Sequence, residues 1–326
     1  MAAAISSHPD APRVSPFSGA CLAGVVRLLK DSLPKEAITE ASFTRKALLD
    51  PNFDPAGALT ACDARGEVLG FLLALTRRRP LEDGPPDKDR GWITLFAVTE
   101  GARRQGIGTR LFDQVEAWLR QQGCTAVWIS PYAPHYWTPG VDEAAYPEAG
   151  TFLQQRGYAV ISRPLSMAAA LTGGWQPPEW AWERSRELSR QGIEMAVFQP
   201  RHALALTDFL RREFPGDWQR YVRGTMEDIV LGRRPPDELA LAFEGETLIG
   251  FAQSEGERFG PFGVAGAERG RGVGAALLFY ALEGMRARGH PTAWFLWTDD
   301  ATANRLYRAA GFRETRRYAV SKKTLV

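Results

Sequence analysis

At 326 residues the chain is long enough for two domains of ordinary size, each burying its own core. Its 40 Lys and Arg against 38 Asp and Glu leave a net charge of +2, which argues against a broad basic surface for nucleic acid and against an acidic tail. Cys21, Cys62 and Cys124 have neither metal nor disulfide spacing, residues 1–14 lack an apolar signal core, and the longest apolar run, Val68 to Thr76, is too short to span a bilayer. The expectation is a soluble cytoplasmic protein.

In chain order, the first half carries a strand at Gly70-Phe71, a polar stretch from Leu81 to Lys88, and a strand-like run reaching Val98. A glycine turn follows, Arg103-Arg104-Gln105-Gly106-Ile107-Gly108, then an amphipathic helix and a strand ending near Ile129. Pro131 to Pro139 is a proline- and aromatic-rich insertion, predicted to plug the neighbouring cleft rather than to reach another site. Thr172-Gly173-Gly174-Trp175-Gln176-Pro177-Pro178 is a breaker cluster, and Glu179 to Arg190 reads as a connecting helix whose Trp180 and Trp182, with Trp175, serve packing. The second half then reads as a strand at Ile193 to Phe198, a helix from Arg201 to Phe214, and a hairpin of Leu239 to Phe243 with Leu248 to Phe251. Phe262 to Val264 leads to a second glycine turn, Arg269-Gly270-Arg271-Gly272-Val273-Gly274. Val273, Ala276, Leu277, Tyr280, Ala281 and Met285 repeat at helical spacing before Gly289. Ala293 to Trp297 is a strand, Ala301 to Ala310 a helix closed by Gly311, and Tyr318 to Ser321 a terminal strand. Strands alternate with helices, so the class is α/β or α+β with a central mixed sheet in each half.

The two halves are copies. Val98, Arg103, Gly106, Gly108, Gly123 and Trp128 recur without a gap as Val264, Arg269, Gly272, Gly274, Gly289 and Trp294. Domains at 1–171 and 193–326, joined by a linker at 172–192, follow from this. Each Arg-x-x-Gly-x-Gly turn sits between a strand and a helix N-terminus, where unpaired N–H groups and the helix dipole attract an anion and glycine lets the backbone approach a pyrophosphate. No Gly-Lys-Ser/Thr follows, and the third glycine of a dinucleotide fingerprint is missing. Gly260-Pro261-Phe262-Gly263 is a poor interior for a fully paired strand, so a ligand has room to insert beside it.

The Val264-to-Gly274 turn and Ala303-x-x-Leu306-Tyr307-x-x-x-Gly311-Phe312 resemble the GNAT superfamily of N-acetyltransferases, twice over. The resemblance implies acetyl-CoA in a cleft between splayed parallel strands, with its pyrophosphate on the Arg269, Gly270, Arg271, Gly272, Val273 and Gly274 amides. The Arg103, Arg104, Gln105, Gly106, Ile107 and Gly108 turn beyond Val98 is a second such cradle. It also implies that Tyr307 is the acid for the departing thiolate and that a backbone N–H near Val264 polarises the carbonyl. For the base, Asp299 and Glu257 are the candidates, with Asp300 and Glu255 also within reach. Asp300 stands where the family often has an asparagine that touches the cofactor.

In the first half Leu153 occupies the place of Tyr307 and Tyr146 that of Asp300. Turnover is therefore expected in the second half, with the first retaining CoA binding or only a structural role. Asp217 and Trp218 follow the first helix of the second half and are candidates for the acceptor pocket, the acceptor being a small primary amine of amino-sugar type. The second half is also similar to acetyltransferase regions joined to N-acetylglucosaminidases, and mycothiol synthase offers a competing acceptor. A CoA-binding regulator and a two-domain scaffold are the alternatives from other classes. His135 alone makes no case for a metal.

Overall fold

The computed structural model describes residues 12–84 and 87–325. Residues 1–11, most of the segment read for a signal core, and Pro85-Pro86 of the polar stretch lie outside the described residues. The elements of the first half are β1 (Arg13–Pro16), α1 (Leu22–Ser32), α2 (Glu40–Phe43), β2 (Ala58–Cys62), β3 (Val68–Thr76), β4 (Arg90–Val98), α3 (Ile107–Gln121), β5 (Ala126–Ile129), α4 (Pro147–Gln155) and β6 (Ala159–Ser162). Then come β7 (Leu165–Ala170), α5 (Glu179–Arg190), β8 (Ile193–Val197), α6 (Ala203–Glu213), α7 (Asp217–Val230), β9 (Leu239–Glu244), β10 (Thr247–Glu255) and β11 (Arg258–Val264). The chain closes with α8 (Val273–Ala287), β12 (Thr292–Thr298), α9 (Asp300–Thr302), β13 (Arg313–Arg317) and β14 (Val320–Thr324).

These form two seven-stranded mixed sheets, ordered β1-β2-β3-β4-β5-β14-β6 and β13-β7-β12-β11-β10-β9-β8. In the first, the period of two along β3 divides its buried residues between two cores. Phe71, Leu73 and Leu75 join Val25 and Leu29 of α1, whereas Leu72 and Ala74 join Leu111, Val115 and Leu119 of α3. Both faces are covered, which is why Val68 to Thr76 is a continuous apolar run. The second sheet repeats the plan. Ile249 and Ala252 of β10 pack with α8, and Leu248 and Phe251 with Phe209 of α6 and Val222 of α7.

The expected boundaries at 171 and 193 do not describe how the chain divides. One compact unit comprises residues 12–80, 87–163 and 318–325, the other 81–84 and 164–317. The expected terminal strand of the second half is β14, antiparallel to β5 and β6 of the first sheet, while β7 lies between β12 and β13 in the second. An internal repeat locates equivalent segments but not their partners, because any strand of matching pleat and polarity satisfies a sheet edge. Tyr318, Ala319 and Val320 are all at most 3% exposed, so the first unit buries its last residues as core.

Candidate active site

Both glycine turns fold alike. Gly106 (φ 77°) and Gly272 (φ 91°) are left-handed N-caps of α3 and α8, a conformation that requires glycine when no side chain is tolerated. Their surroundings differ. A Cβ on Gly106 would meet no atom within 4 Å, whereas one on Gly272 would stand 2.6 Å from Cδ of Arg184, an α5 residue. Arg103 donates to the carbonyl of Val98 at 3.2 Å and to Glu148 at 3.2 Å, and the Arg104 side chain is 86% exposed. Arg271 is instead held by Glu244 at 2.8 Å and by Glu268. Arg269 is exposed, and Val264 is half-buried against the core.

In the first unit β4 and β5 pair in parallel from Arg90↔Ala126 to Ile93↔Ile129. The Ser130 N–H donates to the carbonyl of Ile93 at 2.8 Å, and Ser130 (φ 56°) then turns the chain away. Thr94 to Val98 therefore run on with no strand paired on that edge among the described residues. A cleft of about 1030 Å³ opens beside them. One end is the turn, with Arg103, Arg104, Gly106 and Gly108. Other lining residues are Asp31 in the last turn of α1, Glu36 beyond that helix, Trp137 and Thr138 of the insertion, and Asp142 and Tyr146 before α4. The Tyr146 hydroxyl donates to Glu36 at 3.3 Å and accepts from the Lys35 N–H at 3.2 Å. Pro131 to Pro139 is thus a wall of an open cleft rather than a plug in it.

In the second unit the parallel pairing of β11 and β12 is confined to Arg258↔Trp294. The Phe214 ring packs on one face of β11, 2.5 Å from where a Cβ on Gly263 would stand. Tyr307 is 8% exposed, its ring 4.4 Å from Phe295 and 5.7 Å from Phe312. Burial pushes its hydroxyl well above the usual phenol range, and the charge of Asp299 adds to this. Asp299 accepts from the Thr302 N–H at 2.6 Å and so caps α9. Asp300 takes two bonds of 2.9 Å from Arg317, which holds its carboxyl below the ordinary range. Glu255 accepts from Tyr221, and the carbonyl of Glu257 accepts from the Trp294 N–H. Asp217 is the first residue of α7, and Trp218 stacks on Phe214 at 5.0 Å. None of the second-half turn, Tyr307, Asp299, Asp217 or Trp218 lines the first-unit cleft. Trp175 and Trp180 pack within this unit, Trp180 on Phe279 at 5.4 Å.

Asp31, Glu36 and Asp142 were not singled out by motif. The rule that the segment after the first helix lines the acceptor pocket, applied to the first half, leads to residues 33–36, just past Asp31 in the last turn of α1. Among the described residues no group of three or more His, Cys, Asp or Glu is placed to hold a metal, and no helix is long and apolar enough to cross a membrane.

The model of the acetyltransferase (GNAT) family matches residues 22–137 and again 203–312. An aminoglycoside N(6')-acetyltransferase type 1 from Klebsiella aerogenes is 37% identical over 71 residues, 22% of this chain and 45% of that relative, so the match spans less than half the curated protein. Two solved structures share the fold over nearly the whole chain. One is the glucosamine N-acetyltransferase region of a fungal multi-domain β-N-acetylglucosaminidase (TM-score 0.77, 18% identity, 97% of this chain and 38% of that one). The other is an N-acetyltransferase from Sphaerobacter thermophilus (TM-score 0.72, 21% identity, 98% and 97%).

Proposed function

Because the chain belongs to the acetyltransferase (GNAT) family, whose acetyl donor is acetyl-CoA, we propose that it acetylates a primary amine of a small molecule and that the first-unit cleft is where it does so. One observation carries this reading. The Gly106 turn opens onto a large cleft beside an unpaired strand edge, while Arg184 covers the matching Gly272 turn. The donor's fit rests on the same features: the amides from Arg103 to Gly108 meet the pyrophosphate, the exposed Arg104 swings toward it from its 3.9 Å pairing with Glu148, and the edge of Thr94 to Val98 offers backbone partners to an extended arm. The thioester supplies an activated acetyl group.

The residues then divide the work by charge. Asp31, Glu36 and Asp142 line the same cleft and draw an ammonium group to it. Glu36 receives the proton that makes the amine nucleophilic, and the Tyr146 hydroxyl, bonded to Glu36, holds it in place. Several carboxylates in one cleft favour an acceptor with more than one amine, an amino sugar or an oligoamine. The aminoglycoside-modifying relative points the same way.

The intact motif around Tyr307 favours turnover in the second unit as a second reading. Free thiol release from acetyl-CoA, measured with glucosamine, spermidine and kanamycin, tests both. Gly106→Asp should abolish it and Gly272→Asp leave it intact; the reverse pattern transfers the site to the second unit.

A further inference from the structure

The 131–139 insertion has no counterpart in the second half, and it is bolted down by a buried polar cluster outside the catalytic groups. The Asp50 carboxylate, its side chain 2% exposed, accepts from the Tyr132 hydroxyl at 2.9 Å and from the Asn52 N–H at 2.7 Å, and pairs with Nδ1 of His135 at 2.6 Å. Asn52 donates its amide to the Tyr132 hydroxyl at 2.9 Å. The Arg77 guanidinium stacks over Tyr132 at 4.7 Å and Trp92 at 5.1 Å and donates to the Ala133 carbonyl at 3.0 Å. Lys46 donates to the Tyr136 carbonyl at 3.2 Å. These anchors end where Trp137 and Thr138 enter the lining of the cleft. Among the described residues the buried Trp137 indole N–H has no hydrogen-bond partner, and the Lys46 ammonium lies 5.3 Å over its ring. Its place comes from packing on Phe43, 6.4 Å away, from Lys46, and from the backbone that Asp50 holds.

We infer that Asp50 is a positioning residue that sets acceptor specificity: through Tyr132 and His135 it fixes the Trp137–Thr138 wall against which the acceptor is selected. The inference rests on the first-unit reading of the cleft. A buried carboxylate with several directed partners holds a loop in one arrangement, because each partner would be left unsatisfied by a shift. Misplacing a pocket wall by about an ångström costs up to ~100-fold in productive binding.

The test uses the full chain and whichever of glucosamine, spermidine and kanamycin the wild type acetylates. Asp50→Asn and the half-exposed His135→Ala should raise the acceptor KM roughly ten- to a hundredfold. The acetyl-CoA Kd and kcat should stay near wild type, with amide exchange faster across 131–140. His135→Gln, which can still donate to Asp50, should restore the wild-type KM. Should the loop exchange faster while the acceptor KM stays put, or the acetyl-CoA Kd weaken in step with KM, or 131–140 keep full protection in both variants, the inference is overturned and the proposed function is untouched. A wild type that acetylates none of the three amines removes the proposed function and, with it, this inference.

Discussion

Gly106→Asp separates the two clefts most sharply. The position is left-handed, so any side chain costs about 1–2 kcal/mol of backbone strain. Since no atom lies within 4 Å of the new Cβ, no clash adds to that. A unit of this size should lose roughly 2–4 °C per kcal/mol in Tm and remain folded. The effect on binding is larger. A carboxylate about 4 Å from a phosphate near the surface repels it by about 4 kcal/mol, and the side chain also blocks the close approach that glycine permits. A Kd for acetyl-CoA weakened at least ~25-fold is therefore expected, even if half of that repulsion is screened. Gly272→Asp is the control, since Arg184 already covers that turn; it should leave affinity within about twofold of wild type, well under ~1.4 kcal/mol. Isothermal calorimetry on both folded variants measures this. Unchanged affinity in Gly106→Asp, with loss in Gly272→Asp, would refute the assignment to the first unit.

Glu36→Gln should lower kcat by ~10²- to 10⁴-fold, the range for losing an acid–base group, and Tyr146→Phe by less because Glu36 itself remains, with the acetyl-CoA Kd unchanged in both, whereas Tyr307→Phe should cost little activity; stopped kinetics with the accepted amine decides between them. Deleting residues 318–325 removes β14 from the first sheet, together with Lys323, which donates to the buried Glu116 at 2.7 Å; acetyl-CoA binding should vanish and limited proteolysis should cut within 87–163. Glu116→Ala should lower Tm, because it leaves Lys323 and the Tyr158 hydroxyl without their buried partner and Arg156 with Asp113 alone. Burial raises the Asp50 carboxyl, but hydrogen bonds from His135, the Asn52 N–H and Tyr132 outweigh it, and the net shift is downward. Its contribution is thus full above the ordinary carboxylate value of 3.8 and is lost as pH falls through the lower folded value. Amide exchange across 131–140 should accelerate only below about pH 4, and in Asp50→Asn it should be fast at neutral pH as well.

The local features were legible because their causes are local. Gly106 and Gly272 mark left-handed caps through the absence of a Cβ, Gly289 and Gly311 adopt positive φ after their helices, and α5 occupies Glu179–Arg190 because a breaker cluster precedes an amphipathic run. The duplication, the mixed sheets and the family follow from those local signals repeated at constant spacing. Two questions belonged to tertiary structure alone. Sheet membership was one: β7 and β14 are short strands whose partners are chosen by available edges, so a repeat along the chain cannot say that residues beyond 317 complete the first sheet. What packs around each glycine turn was the other. The turns share their Arg-x-x-Gly-x-Gly pattern, and their surroundings differ through Arg184 beside Gly272 and Phe214 against Gly263, side chains far from the turn in sequence whose positions depend on how α5 and α6 pack. Tyr307 satisfies the motif by residue type, yet the ring contacts of Phe295 and Phe312 decide that its hydroxyl is buried, and packing of that kind is set by the fold as a whole.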